Sequence, residues 1–365
     1  MMVVSKQLQI FFDFLRFCIG SAKEIPVSLK EADWKELYAI AQKQCLVGVL
    51  FDGIKKLPTE HVGMKKELLL QWMAESQMLE KANVRLNDAA IQVSEWFRKK
   101  GFRTCILKGQ GNATMYPNLY SRTPGDIDIW VEGGDKRVIS FVRSISPHEK
   151  ACYHHIEFPS YKGVEVEVHY RPSFLLCFWH DRKLQKNYER MKEEQFSHRV
   201  MLREQGEVAI PTAEFNLIFQ LTHIFSHLMN EGIGLRQLLD YYYLISMLSV
   251  NGEMLTSLQK ELKKLGLWKF AGGIMYIMQV VFGMPASRLI VPPNEKYGKF
   301  VLNEVLEAGN FGKHDERNCF GKSKLGHNLQ RVYRDMRLVR YFPTEALSEP
   351  FFRIWHFFWR LKHRR

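Results

Sequence analysis

Asp126 and Asp128 flank one isoleucine inside an otherwise apolar run, Gly125-Asp126-Ile127-Asp128-Ile129-Trp130-Val131. On a strand, residues two apart project to the same face, so both carboxylates share a side. Like charges on a buried strand need something to neutralise them. A hard cation is the simplest candidate, since Mg²⁺ is held by one or two carboxylates together with substrate phosphates. Further on, Val164-Glu165-Val166-Glu167-Val168-His169 alternates strictly. That puts Glu165, Glu167 and His169 on one face and the valines on the other. Alone, the pattern describes the solvent side of a half-buried strand. Beside Asp126 and Asp128 it offers a third carboxylate, the set that two-metal phosphoryl or nucleotidyl transfer uses.

The chemistry assigns roles. Nucleotidyl transfer builds negative charge on the α-phosphate and on the departing pyrophosphate. Asp126 and Asp128 would bridge the ions, and Glu167 would complete the nucleophile-side metal and accept the acceptor's proton. Leu107-Lys108-Gly109-Gln110-Gly111 precedes the acidic strand. Backbone N–H groups from Gly109 to Asn112 could cradle phosphates, with Lys108 and Arg122 as triphosphate cations. No GxxxxGK[ST] loop is present, so this is not a Walker site.

The strand ending in Lys108-Gly109, the Arg122-x-x-x-Asp126-x-Asp128 strand and the later Val166-Glu167-Val168-His169 strand resemble the uncharacterised nucleotidyltransferase family of the polymerase-β-like superfamily. The resemblance is strongest over about residues 85–245. It implies Asp126 and Asp128 as metal ligands and Glu167 as the third acid, with Glu165 as the alternative. Lys108-Gly109 stands where the wider superfamily has Gly-Ser, so no serine hydroxyl is offered there. The implied activity is Mg²⁺-dependent transfer of an NMP from an NTP to an acceptor hydroxyl or phosphate, with Mn²⁺ as the substitute ion. ATP is the first candidate donor, and a small molecule or saccharide the favoured acceptor. No nucleic-acid module supports a nucleic-acid acceptor. Because fold does not establish chemistry, a non-catalytic nucleotide-binding or interaction protein on the same fold is the competing reading.

The elements that must position these residues follow from periodicity. Residues 1–84 read as helical. A helix carrying Leu86, Ala90, Val93 and Phe97 on one stripe ends at Gly101. Strands are expected over 102–107 and 126–131, and a helix over 135–143. A hairpin of 151–158 and 164–170 should turn through 159–163. Helices resume after Pro211 over 213–230, 235–248, 252–265 and 267–282, and 309–325 reads as loop. The expected class is α+β. A small mixed sheet forms a nucleotidyltransferase core over 85–210, flanked by the N-terminal helices and a helical domain over 211–345. A basic, aromatic tail spans 346–365.

Other features have weaker claims. His223 and His227 share a helical face at zinc-pair spacing, but no third ligand lies nearby in sequence, so helix packing is favoured. The resemblance lets His223, His227, Arg236 and Asp240 line the cleft, with an Arg236–Asp240 ion pair as the structural alternative. Tail residues Phe351, Ile354, Trp355, Phe358 and Leu361 form a stripe beside Arg353, Arg360, Lys362, Arg364 and Arg365. A docked helix is favoured over weak contact with an anionic membrane, or over a peripheral role in surface-polysaccharide or peptide modification. The 52 basic against 39 acidic residues give a net charge of +13, which suits a polyanionic partner. Six cysteines without a CxxC pair fit reduced thiols and a cytoplasmic protein.

Overall fold

The chain's hydrophobic pattern resolves into helices wrapped round one small sheet. The computed structural model describes residues 5–58, 63–202, 204–248, 251–315, 317, 320 and 323–363. Cys319, Arg364 and Arg365 lie outside them. The N-terminal helices are α1 (Lys6–Ile19), α2 (Trp34–Lys43), α3 (Val47–Ile54) and α4 (Lys66–Lys99). Local chemistry sets their ends. The Ser5 hydroxyl accepts from the Leu8 N–H to start α1, and Gly20 closes it at φ 81°. The helix α4 has 34 residues and runs unbroken through positions 84 and 85, across the expected division between the N-terminal helices and the core.

The sheet is β1 (Thr104–Ile106), β2 (Ile127–Val131), β3 (His155–Tyr161) and β4 (Val164–His169), in the order β1-β2-β4-β3. The β1/β2 and β3/β4 pairs are antiparallel, and β2/β4 is parallel. A one-turn helix, α5 (Gln110–Ala113), follows β1, and α6 (Gly134–Ile145) follows β2. One face of the sheet is apolar. Ile127, Ile129, Val166 and Val168 pack with Ala90, Val93 and Phe97 of α4 and Val138 and Val142 of α6. The other face carries Asp128 and Trp130. Trp130 lies against Phe196 of α7 (Phe178–Ser197) and Phe215 of α8 (Ala213–Asn230). One side of β2 therefore anchors the strand and the other presents its carboxylate.

The hairpin turn is tighter than the sequence suggested. Lys162 (φ 52°) and Gly163 (φ 79°) form it alone, the left-handed pair that a two-residue hairpin turn requires. β3 runs on through Pro159 with a register irregularity between Phe158 and Tyr161. An edge strand tolerates both a proline and a bulge. Ala151 joins only through an isolated bridge to Ile156. A separate two-stranded ribbon, β5 (Arg199–Met201) with β6 (Glu207–Ala209), precedes α8.

The remaining helices are α9 (Leu235–Met247), α10 (Gly252–Lys264), α11 (Trp268–Val280), α12 (Glu295–Ala308), α13 (Lys324–Leu338) and α14 (Pro343–Lys362). Thr212 caps α8, accepting from the Phe215 N–H. No helix of the described residues is long and apolar enough to cross a membrane.

Candidate active site

The parallel ladder sets Asp128 of β2 directly beside Glu167 of β4. Asp126 lies two residues earlier, where the chain enters β2. Carboxylate oxygens of all three fall within 4.8 Å of one another. Glu165 shares their face of β4 by alternation but lies exposed, outside that group.

The electrostatics follow from the crowding. Asp128 is 3% exposed. Its Oδ1 accepts from Lys108 Nζ at 2.7 Å and lies 2.9 Å from His169 Nε2. Burial opposes its charge, but these two cations hold it ionised far below the ordinary carboxylate range. The Asp128 charge, and then burial, push Asp126 up to about 6. Burial also works against Glu167, yet the bond from His169 keeps it below its usual value. Burial pulls His169 down, while Asp128 and Glu167 carry it up to about 9. Lys108 is treated likewise: burial lowers it, and Asp128, Asp126 and Glu167 more than offset that. An all-oxygen set with one acid forced toward protonation by its neighbour is a fit for a hard divalent ion. Lys108 and His169 meanwhile hold the buried Asp128 charge.

Gly109 turns the chain from β1 into α5 at φ 49°, ψ −106°. A Cβ there would meet only Asp126 O, at 3.5 Å, so conformation rather than space demands glycine. The expected backbone cradle is less open than the sequence implied. The Gly111 N–H is bonded to Lys108 O, and α5 is a single turn. Its side chains turn inward: Gln110 donates to Asn87, and Asn112 donates to Asp240.

Arg122 lies in the same pocket as Lys108, Gly109 and Asp126, but its fork is engaged. Nε and Nη2 bond the two oxygens of Asp240 at 2.9 and 2.8 Å. Tyr116 Oη and Asn112 Nδ2 complete the Asp240 carboxylate. The i, i+4 pair of Arg236 with Asp240 does not form. Arg236, 6% exposed, donates from Nη1 to Thr123 O at 2.9 Å, and its Nε has no partner. Phe311 lies 5.6 Å from the guanidinium, and the side chain lines the pocket that holds Asp126 and Lys108.

Outward from the carboxylates runs a cleft of about 600 Å³. Its walls include His154, His155 and Phe174 on the sheet side, His223 and His227 from α8, and Phe352 and Arg353 from α14. His223 and His227 rings lie 4.3 Å apart, and His227 Nδ1 is 3.2 Å from Glu231. Neither belongs to a three-ligand group with metal geometry among the described residues. The two histidines that sequence reasoning missed are His154 and His155. His155 stands opposite His169 in the β3/β4 ladder and 3.4 Å from Glu167. Burial, then the His169 charge, push His155 down to about 4.

A solved nucleotidyltransferase-like antigenic protein from Paracoccidioides brasiliensis aligns over 60% of this chain and 95% of its own, at 12% identity and a TM-score of 0.33. No curated protein matches the sequence. The family described as uncharacterised nucleotidyltransferase matches residues 30–283. That span runs from the N-terminal helices through the carboxylate strands to the end of α11, leaving α12 to α14 outside. With some seventy percent of its length matched, the chain belongs to the uncharacterised nucleotidyltransferase family.

Proposed function

We propose that the protein transfers an NMP from an NTP, ATP first among them, to a small-molecule or saccharide acceptor and releases pyrophosphate. The observation that carries this is the convergence of Asp126, Asp128 and Glu167 at the head of a 600 Å³ cleft. Asp126 and Asp128 would hold the ion, and Glu167 would hold it and take the acceptor's proton. Mg²⁺, or Mn²⁺ in its place, would supply charge neutralisation at the phosphates and a lowered pKa for the acceptor hydroxyl. Lys108 balances the acids and stands beside the phosphate region. The flat rings of Phe174, Phe352 and His154 line the outer cleft and suit stacking by a base or a sugar face. An NTP donor is met inside the cell, which suits a cytoplasmic reaction.

The phosphate cation is Arg236 rather than Arg122. Asp240 neutralises only one of two buried guanidinia, and it is bonded to Arg122. Arg236 keeps an unmet donor and no carboxylate partner in a small pocket of about 40 Å³ that shares Lys108 and Asp126 with the cleft, room enough for a phosphate group. A buried charge without a counter-ion is costly, and an anionic ligand removes that cost. Arg236→Met should therefore leave the ligand-free melting temperature unchanged or higher. It should weaken NTP binding about tenfold to hundredfold. Loss of fold, or unchanged NTP affinity, would return Arg236 to a structural role.

The reading as a whole is tested by thermal melts of wild type and Asp126→Ala/Asp128→Ala, with and without Mg²⁺, for each of the four NTPs. A metal-dependent shift of about 2 kcal/mol at saturating NTP, lost in the variant, supports it. A wild type that binds Mg·NTP but never releases pyrophosphate with any acceptor would favour the non-catalytic reading.

A further inference from the structure

Independently of the reaction, we propose that α14 and the start of α7 form a docking surface for an anionic lipid bilayer. α14 is fixed to the protein by one face only. Its Glu345 Oε2 accepts the Leu176 and Cys177 N–H groups at 2.7 and 3.0 Å, and Oε1 faces His180. Phe352 stacks on Phe174 at 5.2 Å. Glu345, Ala346 and Glu349 are buried beneath the helix. The opposite face is apolar and uncovered. Phe351, Ile354 and Phe358 are 60–75% exposed, and Leu347, Trp355 and Leu361 are exposed beside them. The expected docked helix is thus docked, through Glu345, Ala346 and Phe352, with Phe351, Ile354 and Phe358 of the stripe outward.

The patch continues onto a second element. Phe178 and Trp179, both 67% exposed, adjoin Phe351 and Trp355 across an apolar pocket of about 380 Å³. Large exposed apolar patches mark interaction surfaces.

Charge identifies the occupant. Both acids of α14, Glu345 and Glu349, face inward, and so does Asp181 at the start of α7. The exposed charges flanking the patch on these two elements are basic: Arg360 and Lys362 on α14, Arg182 and Lys186 on α7. An aromatic face with a cationic margin matches an in-plane interfacial helix on anionic headgroups. A second copy meets this surface less well, because a two-fold interface would bring the basic margins together.

The test is flotation of the full chain with vesicles of phosphatidylcholine alone and of phosphatidylcholine with phosphatidylglycerol. The wild type should co-float with the anionic vesicles, about tenfold more tightly than with neutral ones, and high salt should weaken it. Phe351→Ser/Phe358→Ser, changed only at exposed positions, should keep its melting temperature and bind at least about tenfold less. No co-flotation with anionic vesicles, or equal binding to neutral ones, overturns the proposal. A dimer in solution that the same double variant converts to monomer overturns it in favour of a second copy.

Discussion

Asp126→Asn should abolish nucleotidyl transfer and at the same time stabilise the metal-free protein at pH 8. The first effect follows from its place among the oxygens proposed to hold the ion. Lewis-acid stabilisation is worth several kcal/mol, so a loss of about a thousandfold in kcat/KM is expected. The second follows from Asp128 crowding it. The folded pKa of Asp126 is raised from 3.8 to about 6. Its proton therefore contributes stability that is complete below the unfolded value and is lost as pH rises through 6. Above that pH, without metal, the wild type carries three crowded carboxylates, whereas the asparagine variant carries two. Melts in chelator should show a gain of about 1–2 kcal/mol at pH 8 that disappears near pH 4. Added Mg²⁺ should reverse the order at pH 8, because only the wild type retains the full ligand set. A variant less stable than wild type at pH 8 in chelator would place Asp126 outside the crowded acid cluster.

The largest stability effect is expected at Asp240. Its carboxylate takes two bonds from Arg122, one from Tyr116 and one from Asn112, and both charged partners are almost wholly buried. Asp240→Ala would leave the Arg122 guanidinium buried without an anion beside Arg236, at a cost of about 3–5 kcal/mol. Replacing both partners, Arg122→Met/Asp240→Leu, removes the stranded charge and should restore about 2 kcal/mol of that loss. Tyr116 and Asn112 still lose their acceptor, so recovery is partial. Urea titration of the three proteins measures it. The same double variant separates the two arginines. If Arg236 binds the phosphates, the folded double variant keeps its NTP-dependent shift. A fold that survives while the shift vanishes would give the phosphate role to Arg122.

The α+β class was legible from helical and strand periodicity together, whereas the meeting of Glu167 with Asp126 and Asp128 was expected from the family resemblance. Asp126 with Asp128, and Glu167 with His169, needed only the rule that alternate strand residues share a face. Register was not legible. The expected loop over 159–163 would have set His155 opposite Glu167. The two-residue turn and the bulge at Pro159 move it to His169. Both registers leave the imidazole on the carboxylate face, so pairing the two hairpin strands on paper could have found it. The fate of Arg122 was also hidden, since its partner lies 118 residues away. Local spacing favoured Arg236 for Asp240, and spacing cannot show which of two guanidinia a buried carboxylate accepts. The ribbon of β5 and β6 escaped notice because three-residue strands carry too little pattern.

The parallel pairing of β2 with β4 bears on how the molecule assembles in time. Asp128 and Glu167 meet only after the intervening chain, with α6 and β3, has crossed over and closed a non-local ladder. Such contacts form late, because loop closure must precede them. An ion bound as proposed would need both strands, so it would have little purchase on the unfolded chain or on the folding transition state. Its stabilisation belongs to the native state, so adding it should slow unfolding while leaving the refolding rate nearly unchanged.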